Sequence, residues 1–72
     1  MHAIKVEPFG EGWSVSVDGV TEPQVFRGGR SAERAAWSMG KRLAASGVHV
    51  EISIHLRDGT RASRFVCAPA AA

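Results

Sequence analysis

From Val48 to Val66 the side chains alternate in character: Ile52, Ile54 and Leu56 fall on one side of an extended run, Glu51, Ser53, His55 and Arg57 on the other. Asp58-Gly59 interrupts the run and Thr60 to Val66 resumes it. Period two belongs to a strand with one dry and one wet face, and Asp-Gly between two such runs is a strong local signal for a hairpin. A type I′ bend at Asp58-Gly59 pairs Arg57 with Thr60 and so sets the whole ladder. Ile54 then faces Ser63 and Ile52 faces Phe65 on the dry side, while Ser53 faces Arg64 and His55 faces Ala62 on the wet side. Glu51 and Arg64 come within diagonal reach. A slip of one residue turns every isoleucine to water, so a fold built on this hairpin must supply a lid.

The rest of the chain offers that lid and the remaining strands. "HAIKVEP" sets Ile4 and Val6 against Ala3, Lys5 and Glu7, a half-buried strand ended by Pro8. "FGEGW" supplies a turn. "WSVSVD" then puts Trp13, Val15 and Val17 on one face and Ser14, Ser16 and Asp18 on the other, an antiparallel partner for the first strand. After a bend at Asp18-Gly19, Pro23 confines the next strand to a short edge piece around Gln24 to Arg27, which Gly28-Gly29 breaks. Ser31 is the expected N-cap of the helix, Ala32 to about Ser46, with Ala32, Ala35, Ala36, Met39 and Leu43 in one stripe and Gly47 as its stop. The order β-β-β-α-β-β is that of an α+β domain: a single antiparallel sheet of four to five strands with one helix packed on one face. Residues 1–66 are expected to form this domain and residues 67–72, "CAPAAA", a flexible tail.

A chain of 72 residues buries only about 60% of its unfolded surface, which leaves little material for a deep active-site cleft. Its net charge of +2 admits a polyanion as partner without requiring one. No apolar run approaches the roughly 20 residues of a membrane span, and "MHAIKVEPFG" lacks a signal-peptide core, so the cytoplasm is expected and no membrane partner. Cys67 is the single cysteine, which excludes an internal disulfide.

Three stretches carry a resemblance: "GW-V-V-DG" from Gly12 to Gly19, the alanine-spaced helix from Ala32 to Ala45, and "E-x-x-I-H-x-R-D-G" from Glu51 to Gly59. Over roughly residues 5–66 the chain resembles a small bacterial family known only as a domain of unknown function. The resemblance implies a compact β-rich fold with one helix, and it brings no activity, cofactor or catalytic residue with it.

Catalytic and metal chemistries fail on spacing. His49 and His55 share one side of a strand but stand about 20 Å apart at roughly 3.3 Å per residue, too far for one metal ion, and no CxxC or HExxH is present. Ser53, His55 and Asp58 contain the types of a nucleophilic triad, yet the hairpin bend already accounts for Asp58 and no strained nucleophile turn precedes Ser53. Gly28-Gly29-Arg30-Ser31 could hold an anion at the helix start but lacks the Lys-Ser/Thr end of a phosphate loop. The expectation is therefore a non-enzyme with no cofactor and no metal.

Two surfaces remain. Arg34 and Lys41 point away from the helix stripe with Trp37 between them, and Arg27 and Arg30 lie just before the helix. Together they form a basic ridge with one aromatic, a combination suited to single-stranded nucleic acid. The wet row of the last hairpin, His49, Ser53, His55, Arg57 and Arg64, is the second: a solvated face, or an interface with a second copy or another protein.

Overall fold

The computed structural model describes residues 2–18 and 23–69. They form strands β1 (His2–Phe9), β2 (Gly12–Val17) and β3 (Gln24–Phe26), helix α1 (Gly29–Ala45), and strands β4 (Val50–His55) and β5 (Arg61–Cys67). The bend expected at Asp18-Gly19 lies partly outside the described residues. The sheet order is β3-β2-β1-β4-β5. The strands whose apolar sides are richest in Ile and Val stand at its centre: Ile4 and Val6 on β1, Val50 and Ile52 on β4, each at most 1% exposed. With Val15, Ala32 and Ala36 they make the core.

The architecture is α+β as the pattern of elements implies, but the sheet is mixed rather than antiparallel. β1 and β4 pair parallel, with Ile4 beside Ile52 and Val6 beside Ile54. The cause is the helix. β1, β2 and β3 run up, down and up; α1 returns across the dry face, so β4 starts again in the direction of β1.

The helix sits closer to the sheet than a Leu-Met stripe would permit. Its buried positions are Ala32, Ala36, Gly40 and Ala44, four residues apart, while Ala35, Met39 and Leu43 are half-buried on its flank. A Cβ on Gly40 would lie 2.9 Å from Ile52 Cδ1 and 3.1 Å from Cys67 Sγ. α1 also begins earlier than expected. Its N-cap is Gly28, with no side-chain cap, and Ser31 falls inside the first turn. The first turn packs closely, for a Cβ on Gly29 would be 3.1 Å from the Trp13 ring. The C-terminus stops as expected: Gly47 has φ +96°, its N–H donates to Ala44 O at 3.0 Å, and Val48 N–H donates to Leu43 O at 3.2 Å.

The β4–β5 ladder keeps the expected partners Ile54–Ser63, Ser53–Arg64 and Ile52–Phe65. The bend does not keep its expected type. Leu56 N–H donates to Thr60 O at 2.8 Å and Gly59 N–H to Leu56 O at 3.0 Å. Among the described residues only glycines have positive φ, Gly59 at +89°, so Asp58 cannot occupy a type I′ position. The loop is Arg57-Asp58-Gly59, which brings His55 opposite Arg61 rather than Ala62. A register shift between Ile54 and His55 absorbs the difference. Cys67, expected in the tail, instead closes β5 beneath Gly40; Ala68 and Pro69 follow it, and residues 70–72 lie outside the described part.

Candidate functional site

Arg30, Arg34 and Lys41 are exposed on one flank of α1, and Arg27 is exposed just beyond β3. At 100° per residue the three helix positions fall within a narrow arc, so their charges line one ridge. Among the described residues no carboxylate pairs with any of the four, the only ion pairs being Lys5–Glu7 at 3.3 Å and Glu51–Arg64 at 2.7 Å. Trp37 takes a different part. It is half-buried, and its ring lies against Phe65 of β5 with centroids 4.8 Å apart and planes tilted by 53°. The indole thus ties the helix to the outermost strand, with one side of the ring committed to packing.

On the face of the sheet away from the helix, Arg64 grips Glu51 with two bonds, Nε to Oε1 at 2.7 Å and Nη2 to Oε2 at 3.1 Å. This diagonal pairing is the one that the strand phase implies. The Arg64 hydrogen bond holds the Glu51 carboxyl below its ordinary pKa, and the same contact raises that of Arg64. Ser53 and His55 are half-buried and share a shallow depression of about 280 Å³ with Lys5, Ser16 and Asp18. Asp18 is already engaged, accepting the Ala3 N–H at 3.1 Å. His49 is exposed and precedes β4.

Arg57 leaves the row in which alternation places it. Drawn into the loop by the longer bend, its guanidinium crosses to the β1–β2 hairpin and donates to Gly10 O at 3.0 Å and to Glu11 O and Gly12 O at 3.1 Å each. It also stands 5.5 Å from the centre of the Trp13 ring. A planar fork can bind several carbonyls at once, which an ammonium does poorly. Nothing local in the sequence announces this contact, because its partners are 45 to 47 residues away.

Asp58 Oδ1 accepts the Thr60 hydroxyl at 2.6 Å and the Thr60 N–H at 2.9 Å, and these bonds lower its pKa. Both bonds fall on one carboxylate oxygen and hold it to the turn, and among the described residues no hydrogen bond joins Ser53, His55 and Asp58 to one another. Among the described residues no three His, Cys, Asp or Glu side chains stand together as a metal site. None of the described helices is long and apolar enough to cross a membrane.

Two features escaped the sequence pattern. Phe9 and Val25, 56% and 58% exposed, border a wide hollow with Gly12 and Arg27; Pro8 disguised the continuation of β1 to Phe9. The second is the outer edge of β5, along which no other described strand runs. Strand order is needed to see it. Comparison with protein-family models, with curated proteins and with solved structures finds no match.

Proposed function

We propose that this chain is a small non-enzymatic binding module that acts through its exposed sheet surfaces, as a homodimer or docked on another protein. The observation that carries the reading is the edge strand β5, seven residues long and with no strand on its outer side among the described residues. Such an edge is a ready template for another chain unless something blocks it. Membership of the bacterial family resembled by GW-V-V-DG and IHLRDG, and a place in the cytoplasm, belong to the same proposal. Light scattering from about 1 μM to about 1 mM tests self-association; a strict monomer throughout removes the homodimer.

A second reading, nucleic-acid binding, is favoured by Arg27, Arg30, Arg34 and Lys41, which have no carboxylate partner among the described residues. Trp37 would then shape the ridge from beneath through Phe65. This reading expects affinity for single-stranded oligonucleotides that falls steeply with salt. No binding at low salt ends it.

A further inference from the structure

We infer that two copies join through the outer edges of β5, paired antiparallel about Phe65 so that their sheets become one. The inference rests on the binding-module reading and names the partner and the register.

Hydrogen-bond phase identifies the groups on offer. His2 N–H donates to His49 O at 2.9 Å, so the odd residues of β4 turn their backbone groups toward β1 and Val50, Ile52 and Ile54 turn theirs toward β5. The bond from Leu56 to Thr60 agrees with that phase. Cys67, Phe65 and Ser63, opposite those three, therefore spend their N–H and C=O groups inward. Arg64 and Val66 direct theirs outward. The other edge is blunted, since β3 has three residues and follows Pro23. β5 has no Pro, its Arg64 is held by Glu51 on the face of the sheet, and both Arg61 and the irregularity lie at the end next to the bend.

A second copy fits this edge in one register better than in its neighbours. Symmetry about Phe65 sets Arg64 against Val66 of the second copy and Val66 against its Arg64, making four main-chain bonds, with Ala62 and Ala68 able to extend the ladder. Symmetry about Arg64 instead stacks two guanidinium groups, and symmetry about Val66 shortens the overlap. In the favoured register the two Phe65 rings meet in a non-hydrogen-bonded pair, where side chains come closest, and the Trp37–Phe65 contact grows into a stack of both copies' rings. Val66, 55% exposed, gains cover from the Arg64 stem. Ordinary stable interfaces hide about 800 Å² per partner, roughly a sixth of the 4860 Å² accessible here. One strand edge offers less, which places dissociation in the micromolar range or weaker.

The register is tested with Ser63→Cys, because Ser63 then lies opposite Cys67 of the second copy in a pair whose spacing suits a disulfide. With oxidised glutathione as the acceptor of two electrons per bridge, the variant should give a covalent dimer that reductant reverses. The wild-type chain should not, its two Cys67 residues lying about 13 Å apart along the ladder at roughly 3.3 Å per residue. Val66→Pro removes an outward N–H while sparing the ladder to β4; it should be monomeric wherever the wild type dimerises, with an unchanged circular dichroism spectrum. No cross-link from Ser63→Cys, or a Val66→Pro variant that dimerises like the wild type, overturns the edge pairing and leaves self-association by another surface. A wild-type chain monomeric at about 1 mM ends both.

Discussion

At Gly40 the helix lies against the sheet with no room for a side chain, and its replacement tests whether that contact positions α1. Gly40→Ala gains about 1 kcal/mol from helix propensity. The new methyl would sit 2.9 Å from Ile52 Cδ1 and 3.1 Å from Cys67 Sγ, and forcing such a contact in a packed core costs about 1–3 kcal/mol. Ile52 is fully buried, so its Cδ1 has little room to yield, and the single variant should range from neutral to about 2 kcal/mol less stable. Ile52→Val deletes that Cδ1 and alone should cost about 1 kcal/mol. Combined, the valine vacates the space that the alanine enters, so the double variant should regain the propensity gain and approach wild-type stability. The coupling read from urea unfolding should be at least about 1 kcal/mol in favour of the pair, a change of roughly 4–8 °C in Tm for a domain this small. Additivity within about 0.3 kcal/mol would refute the claim that these two atoms set the helix height.

Arg57→Ala should destabilise the domain by about 1–2 kcal/mol, and Arg57→Lys should recover less than half, since an ammonium cannot span the three carbonyls; chemical denaturation of both variants decides. Trp37→Ala should cost about 2–3 kcal/mol, whereas Arg34→Ala and Lys41→Ala should each change stability by less than about 0.5 kcal/mol, as thermal melts will show. The Glu51 carboxyl is held below its ordinary pKa by Arg64, so its contribution is fully present above the unfolded-state value and lost as pH falls through the folded-state value. Unfolding curves below about pH 5 should therefore be less steep in pH for Glu51→Gln than for the wild type. Gly59 at φ +89° should tolerate Asn better than Val, with Gly59→Val costing about 1–3 kcal/mol by the same melts.

What the amino acids disclosed was local. Alternation at Ile52 and Ile54 and the approach of Glu51 to Arg64 could be read because period two and a nearby bend fix them. The parallel seam between β1 and β4 could not, since periodicity says which side chains share a face and nothing about which strands are neighbours. Helical spacing places Ala32 and Ala36 in the core and Met39 and Leu43 against it, but it passes over Gly40 and Ala44, whose small size lets them be buried against the sheet. Of the candidate residues, Trp37 showed its aromatic character but not its neighbour Phe65. Arg57 was assigned to a row by parity, before a longer loop redirected it.

The last hairpin contains a small disagreement between its bend and its ladder. The loop closed by Gly59 calls for one alignment, the isoleucines for another, and the kink opposite His55 lets both have their way. A hairpin of this kind carries a spare residue. Descendants of this sequence could therefore lose one position between Gly59 and Ser63 without turning the isoleucines outward, a freedom denied to a hairpin whose loop and strands already agree.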